Sequence, residues 1–246
     1  MLCQARNGQE YLPAQNVLGS SATGVHVIIL EDVTKVYRTQ SGSRVILQDL
    51  SCTICEGVNL GILGVNGAGK STLMRMIAGI EEPDSGLIRR TNRVSFPLGF
   101  SGTFAGSLSG RETAVFLARV CGAQTDYVMD LAEDFADIGQ YFDMAVNTYS
   151  SGMRSRLAFG ISLAIDFDVY LVDEVTAVGN RSFQDKSRKA LTDRFAYSDV
   201  IMISHNPTTL KQYCNRGAVL HDGSLSFYET VEEANRAHLA NMKLPR

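Results

Sequence analysis

The sequence predicts an α/β fold with a parallel-sheet core and a separate helical lobe, on three observations. A glycine-rich loop, GVNGAGKST at residues 64–72, stands between an apolar strand-like run and a helix-like run. Short apolar runs at 169–172 and 200–204 alternate with helical segments, which is typical of a parallel sheet. A block of helical pattern over about 111–165 interrupts that alternation and indicates a separate lobe.

Length, composition and charge limit the class of protein. The chain has 246 residues, 45% of them hydrophobic, which fits one large domain or one domain with a subdomain. Its net charge of −3 lacks the basic excess that is usual for proteins with a nucleic-acid partner. No apolar run reaches the roughly 18 residues of a membrane-spanning helix, and the N-terminus lacks the pattern of a signal peptide. We therefore expect a cytoplasmic protein without a nucleic-acid partner.

The individual elements follow from periodicity and from turn residues. Residues 1–26 are polar and without periodicity, which predicts a flexible extension before a domain over residues 27–246. EEPDSG predicts a turn, and residues 91–110 show little helical pattern. Strands are predicted in HVIILEDVTKVY, RVILQDLSCTI, VNLGIL, DVYLVDE and VIMISH, and helices in STLMRMIAGI, RETAVFLARVCGA, DYVMDLAEDFADIG, SGMRSRLAFGISLAI and RSFQDKSRKALTDRF.

Two of the five cysteines, Cys52 and Cys55, have the spacing of a redox or zinc motif. A redox motif needs a helix start at this point, but LQDLSCTICEG is typical of an irregular strand that ends in a turn at 56–57. A second cysteine pair, which a zinc site would need, is missing from the sequence. We therefore expect two buried free thiols in a strand, and the odd cysteine count suits a reducing compartment.

The glycine-rich loop matches the phosphate-binding pattern G-x-x-x-x-G-K-[ST] in full. Its glycines allow the backbone to curl around a phosphate with the N–H groups inward, and the following helix adds its N-terminal dipole. Lys70 would reach the β- and γ-phosphates, and the Ser71 hydroxyl would hold Mg²⁺. The predicted phosphate-binding residues are Gly64, Val65, Asn66, Gly67, Ala68, Gly69, Lys70, Ser71 and Thr72.

Polar side chains follow two further apolar strands, where ligand sites of parallel sheets lie. Asp173 and Glu174 come directly after VYLV, and His205 comes directly after VIMIS. Asp173 would bind Mg²⁺ directly or through water, and Glu174 would act as general base on the attacking water. His205 would hydrogen-bond the γ-phosphate or that water. The alternatives are a surface turn with two solvated acids and a purely structural histidine.

The order of phosphate loop, YSSGM helix, acidic strand and histidine strand resembles the nucleotide-binding subunit of ABC transporters over about residues 27–230. This resemblance implies the P-loop NTPase fold of an ABC nucleotide-binding domain, with an antiparallel β subdomain beside the parallel sheet. It also implies ATP as the nucleotide, hydrolysed with Mg²⁺. In that family, an aromatic residue at the position of Tyr37 stacks on adenine.

The resemblance also implies a role for the stretch YSSGM, from Tyr149 to Met153. The family's signature motif is usually Leu-Ser-Gly-Gly-Gln, and it opens a helix that meets the γ-phosphate of ATP held by the other subunit. Its counterparts here are Ser150, Ser151 and Gly152, with small side chains that permit a close approach to that phosphate. A single copy of each motif implies a head-to-tail homodimer with two ATP molecules between the subunits. Membrane-spanning permease subunits are the further partners implied.

Two departures from the family pattern point to a subfamily. The family usually carries a glutamine in the loop before the helical lobe, but residues 91–112 contain none, and Asn180 stands where an aspartate is usual. With the YSSGM signature, these features resemble the ATPases that export bacterial surface polysaccharides, and capsule export is the nearest match. The resemblance implies a peripheral position on the cytoplasmic face of the inner membrane, with the polysaccharide cargo handled indirectly. The alternatives are an O-antigen or teichoic-acid exporter, or a regulatory ATP-binding protein with slow turnover.

Overall fold

The computed structural model describes residues 27–39, 42–99, 102, 104–173 and 181–243. The eight strands in this part of the chain are β1 (Val27–Thr39), β2 (Gly42–Cys55), β3 (Leu60–Leu63), β4 (Ser85–Arg90), β5 (Val169–Asp173), β6 (Asp199–Ile203), β7 (Arg216–His221) and β8 (Ser224–Tyr228). Its seven α-helices are α1 (Lys70–Ile77), α2 (Gly110–Val120), α3 (Thr125–Ala136), α4 (Ser151–Ala164), α5 (Arg181–Phe195), α6 (Pro207–Tyr213) and α7 (Val231–Lys243). None of these helices is both long and apolar enough to cross a membrane.

The chain divides into two compact units. The described parts of the first lie within 27–94, 169–173 and 199–243, and those of the second within 95–168 and 181–198. The helical lobe expected over about 111–165 falls in the second unit, which also contains α5. The extension predicted over residues 1–26 lies outside the described part of the chain.

The first unit contains two sheets, as the predicted fold class requires. A five-stranded sheet has the order β5-β6-β3-β7-β8, in which only β8 runs antiparallel to its neighbour. All four residues of its central strand, Leu60–Leu63, are buried, because strands of a parallel sheet are covered on both faces. A three-stranded antiparallel sheet has the order β2-β1-β4. The prediction of a parallel sheet core with an antiparallel β subdomain is therefore confirmed.

The second unit is built on packed helices. The rings of Phe135 in α3, Phe159 in α4 and Phe183 in α5 form a cluster, with centroids 5.3 to 6.0 Å apart. Gly160 allows α3 and α4 to approach closely, since a Cβ there would lie 2.9 Å from the Cβ of Phe135. These helices confirm the helical segments that the sequence predicts at 111–165 and at 181–195.

The cysteine pair lies in strand β2, as the sequence predicts, and the turn at 56–57 follows it. Cys52 is buried, and this burial raises the pKa of its thiol to about 12, so the thiol stays protonated. Cys55 is half-buried, so the expectation of two buried thiols is wrong for this residue. Cys52 and Cys55 are three residues apart in β2, and side chains alternate between the faces of a strand. Their thiols therefore lie on opposite faces of the sheet, which explains their different burial.

Candidate functional site

The glycine-rich loop joins the central strand β3 to the start of α1 in the first unit. Gly69 is the N-cap of α1 with a φ of 101°, and a Cβ at this position would collide with the side chain of Ile46. A Cβ at Gly64 would lie 2.6 Å from the carbonyl oxygen of Leu220. Both positions therefore require glycine, which explains the residue types of the pattern in terms of packing as well as of phosphate binding.

Lys70 is the first residue of α1, and only 7% of it is exposed. Its Nζ donates hydrogen bonds to the carbonyl oxygens of Gly64, at 2.6 Å, and of Val65, at 3.0 Å. A buried ammonium group needs such partners, because it has lost its water. The loop thus surrounds the Lys70 ammonium. This positive charge and the N–H groups at the start of α1 both favour the binding of an anion such as phosphate.

A cavity of about 400 Å³ lies over this loop at the carboxyl end of the parallel sheet. The sheet register explains why distant residues meet there, since Asp173 at the end of β5 pairs with Ile203 of β6, two residues before His205. The structure therefore brings together, on one cavity, most of the residues that the sequence singles out in the first unit. Those that line it include Tyr37, Asn66, Lys70, Ser71, Asp173 and His205.

The chemistry of this lining fits a magnesium ion that is held together with a phosphate. The Ser71 hydroxyl and the Asp173 carboxylate supply two oxygen donors on the same cavity. Mg²⁺ prefers oxygen ligands and usually takes one or two from the protein, with the rest from phosphates and water. Among the described residues, no group of three or more histidine, cysteine or carboxylate side chains could hold a metal without such help.

Tyr37 lies on strand β1 and is half-buried at the edge of the cavity. Its hydroxyl donates to Glu81 Oε1 at 2.7 Å and accepts from Arg75 Nη2 at 3.0 Å. The ring is therefore fixed at its polar end, while the cavity lies beside it. Such a half-buried aromatic ring at the mouth of a polar cavity can offer its face to a planar ligand.

The YSSGM stretch begins helix α4 in the second unit. Ser150 is its N-cap, and the Ser150 Oγ accepts a hydrogen bond from the Met153 backbone N–H at 3.2 Å. Ser150 and Ser151 are exposed and Gly152 is half-buried. The first N–H groups of a helix have no partners within the helix, so this exposed helix start can accept an anion from outside.

Tyr149 anchors this exposed helix start to the interior of the second unit. Only 3% of Tyr149 is exposed, and its hydroxyl donates to the Tyr141 carbonyl at 2.6 Å and accepts from the Gly110 N–H at 3.1 Å. Arg154 donates to the Tyr149 carbonyl at 2.9 Å. The residue before the two serines is thus structural, and the serines themselves are left accessible.

Two site predictions lie outside the described residues, namely those for Glu174 and for Asn180. Conversely, sequence reasoning missed two residues of strand β2 that line the cavity, Arg44 and Ile46. Arg44 Nη2 donates to the Gly67 carbonyl at 2.9 Å, and so supports the loop from outside. No signal within one stretch of the sequence identifies them, because Arg44 reaches the cavity through the pairing of β2 with β1, in which it stands directly opposite Tyr37.

Known proteins resemble this chain over most of its length. The family model described as ABC transporter matches residues 47–177. The capsule polysaccharide export ATP-binding protein CtrD of Neisseria meningitidis serogroup B is 45% identical over 85% of this chain and 96% of its own length. The polysialic acid transport ATP-binding protein KpsT of Escherichia coli is 44% identical over 84% of this chain and 93% of its own length.

The fold is likewise that of solved ATP-binding cassettes. A cassette solved as a dimer in a post-hydrolysis state with ADP and Pi has a TM-score of 0.66 and 19% identity to this chain, and the match covers 82% of this chain and 98% of the other. At that identity, the likeness concerns the fold alone. With the match over residues 47–177 and the identities above 40%, the chain belongs to the ABC transporter family, as one of its ATP-binding ATPase subunits.

Proposed function

We propose that this chain is the ATP-hydrolysing subunit of an exporter of capsular-type polysaccharide. The observation that carries the ATPase part is the convergence of Lys70, Ser71, Asp173 and His205 on one cavity over the phosphate loop. The relatives named for capsule polysaccharide and polysialic acid support the cargo. They favour this cargo over the O-antigen and teichoic-acid alternatives. Its place would be the cytoplasmic face of the bacterial inner membrane.

Four side chains of the cavity receive proposed roles in hydrolysis. The N–H groups of the loop and the Lys70 ammonium would bind the β- and γ-phosphates. Ser71 and Asp173 would hold Mg²⁺, which when bound neutralises charge on the phosphate oxygens. His205, which is exposed at the end of β6, would hydrogen-bond the γ-phosphate or the attacking water. Glu174, next to Asp173 in the sequence, would take the proton of that water.

Tyr37 and the loop would divide the recognition of ATP between them. The ring of Tyr37 would stack on adenine, while the loop binds the phosphates. Stacking on an aromatic ring is tolerant of the base that is bound, whereas the phosphate contacts depend on charge and geometry. Together they would place the γ-phosphate between Lys70 and the carboxyl ends of β5 and β6.

The exposed start of α4 would complete the site of a second copy of this chain. Ser150, Ser151 and Gly152 present a hydroxyl and helix N–H groups that can bind a γ-phosphate. Two-fold symmetry would then give two equal sites, each built from the phosphate loop of one subunit and the signature of the other. ATP would close this dimer and hydrolysis would open it, because only the closed state contacts each nucleotide from both sides.

The second unit carries an exposed apolar surface that we propose as the contact site for the permease. Phe116 and Val120, four residues apart on α2, are 55% and 65% exposed, and Tyr127 on α3 is 52% exposed. Neighbouring apolar side chains on a helix surface indicate a site of protein contact. The helices at 111–147 and the loop at 91–110 would transmit the motion of the dimer to this partner.

Steady-state ATPase activity of the purified chain tests the catalytic part of this proposal. We expect hydrolysis with MgATP, a fall of at least about 100-fold when EDTA removes the metal, and full recovery with added Mg²⁺. The Lys70→Ala variant, even with Mg²⁺ present, should hydrolyse ATP no faster than the wild type does in EDTA. Tight ATP binding by the wild type with turnover no faster than that of Lys70→Ala would instead support the slow regulatory protein.

A further inference from the structure

The hydroxyl of Tyr37 takes part in a network of polar side chains at the edge of the cavity. It donates to Glu81 Oε1 at 2.7 Å, accepts from Arg75 Nη2 at 3.0 Å and lies 3.3 Å from the Thr72 hydroxyl. A surface tyrosine can satisfy its hydroxyl with water alone, so three protein partners mark a ring that is held in one position.

Glu81 is the residue that joins this network together. Besides Tyr37, its carboxylate takes Arg75 Nε at 3.0 Å and Lys35 Nζ at 3.2 Å. Burial acts to raise the pKa of Glu81, but the hydrogen bonds from Tyr37, Arg75 and Lys35 outweigh it and hold this pKa below its ordinary value. The carboxylate is therefore ionised at neutral pH and can accept from all three partners.

The partners of Glu81 come from two different elements, β1 and α1. Lys35 and Tyr37 are on β1, two residues apart, and the Lys35 ammonium lies 5.7 Å from the centroid of the Tyr37 ring. Arg75 is on α1, the helix that starts with Lys70, and Arg75 Nη2 also donates to the Thr72 hydroxyl at 3.2 Å. The network thus ties the aromatic ring on the antiparallel sheet to the helix that carries the phosphate-binding residues.

We infer that Glu81 is a positioning residue for nucleotide binding, which holds the Tyr37 ring at a fixed place relative to the phosphate loop. This inference rests on the stacking role proposed above for Tyr37. A tyrosine ring without an anchor at its hydroxyl samples several rotamers, and the binding of a base must then select one of them. With Glu81 and Arg75 in place, the Tyr37 ring is already held in one rotamer before ATP binds. The favourable free energy of stacking is then not reduced by the entropy cost of fixing the ring.

Glu81→Ala tests this role through the dissociation constants of two probes. We expect the Kd for ATP to rise about three- to tenfold, the range that corresponds to one hydrogen bond. The Kd for inorganic tripolyphosphate, which has no base, should not change, and kcat at saturating ATP should also stay the same. Glu81→Gln, which keeps an acceptor for the Tyr37 hydroxyl, should recover most of the ATP affinity.

The matched control is Glu31→Ala, which removes a different carboxylate, one that lies on strand β1. Glu31 pairs with Arg89 at 3.1 Å across the antiparallel sheet, but both side chains are about half exposed and neither lines the cavity. It should leave both dissociation constants unchanged. Melting temperatures of both variants show whether the sheet is intact, and Tyr37→Phe serves as a second probe that keeps the Glu81–Arg75 ion pair.

Tyr37→Phe keeps the ring and removes only the hydroxyl, so it should raise the Kd for ATP at least as much as Glu81→Ala does, because the hydrogen bond from Arg75 is lost as well. In the double variant the two effects should not add, because both break the same anchor. Additive effects, an equal rise for tripolyphosphate, or no change in either single variant would overturn the inference.

Tyr37→Ala distinguishes this inference from the proposed function. If Tyr37→Ala weakens ATP binding about tenfold or more while Glu81→Ala has no effect, stacking stands and the positioning role is wrong. If Tyr37→Ala leaves ATP binding unchanged while Lys70→Ala still weakens it, the stacking role itself is wrong, and the positioning role falls with it.

Discussion

Replacing Ser150 with arginine is expected to abolish ATP hydrolysis while the chain still binds ATP through its own phosphate loop. Ser150 is exposed at the start of α4, so the larger side chain disturbs no core, and the loss of its N-cap hydrogen bond costs about 1 kcal/mol. The arginine would, however, occupy the space that the γ-phosphate of the facing subunit needs. Hydrolysis should therefore fall at least 100-fold, by the loss of groups that stabilise transition-state charge.

The measurement pairs steady-state ATPase activity with the Kd for ATP. Gln124→Arg is the matched control, because Gln124 is the exposed N-cap of another helix, α3, in the same unit and makes no capping hydrogen bond. We expect this control to hydrolyse ATP at the wild-type rate. Unchanged turnover in Ser150→Arg would contradict the assignment of the signature to Ser150, Ser151 and Gly152.

Mixing two inactive variants tests the head-to-tail arrangement itself. A dimer of one Lys70→Ala chain and one Ser150→Arg chain has both lesions in one site and none in the other. If the chains exchange freely and the two sites turn over independently, equal amounts should recover about a quarter of the wild-type activity. Two sites that each lie within one subunit could not recover any activity by mixing.

Replacing Glu174 with glutamine is expected to trap the dimer in its closed, ATP-bound form. Glutamine has nearly the shape of glutamate but is no base at neutral pH, so the attacking water keeps its proton. The loss of a general base typically costs a factor of about 100 to 10,000 in rate. Because the intact γ-phosphate continues to bridge the two subunits, the closed state should persist.

Light scattering after gel filtration with MgATP measures this trapping. The Glu174→Gln chain should elute as a dimer with ATP and as a monomer without it. Glu31→Gln makes the same change at an exposed carboxylate on β1 and should behave as the wild type. A Glu174→Gln chain that stays monomeric, under conditions where the wild type dimerises, would count against this role.

Much of the fold could be predicted because the sequence carries local signals for it. A strand such as Leu60–Leu63 is apolar throughout, and the glycine loop and helix follow it at once. The positions of Asp173 and His205 at the ends of their strands then follow from the rule that parallel strands share one carboxyl edge. The hairpin of β7 and β8 also had a signal that the prediction did not use, since Asp222 and Gly223 form its turn, with φ of 45° and 77°.

The rest could not be predicted, because it depends on how separate elements meet. Arg44 contacts the loop only because strand β2 pairs with β1 in a register that places Arg44 opposite Tyr37. Glu81 lies in a segment that the sequence marks only as a turn, and its role depends on Tyr37 and Arg75 arriving from two different elements. No periodicity or motif in one stretch of sequence contains such a contact.

Lys70→Ala, introduced in place of the native copy in the source cell, tests most directly whether ATP hydrolysis by this chain powers glycan export. The Lys70 ammonium is held inside the phosphate loop, where it would bind the β- and γ-phosphates of ATP. The variant should therefore stop ATP hydrolysis, while the protein itself is still produced. The measurement compares polysaccharide on the cell surface with polysaccharide retained inside. We predict loss at the surface with accumulation inside, whereas an unchanged distribution, with the variant expressed and folded, would contradict the proposed cargo.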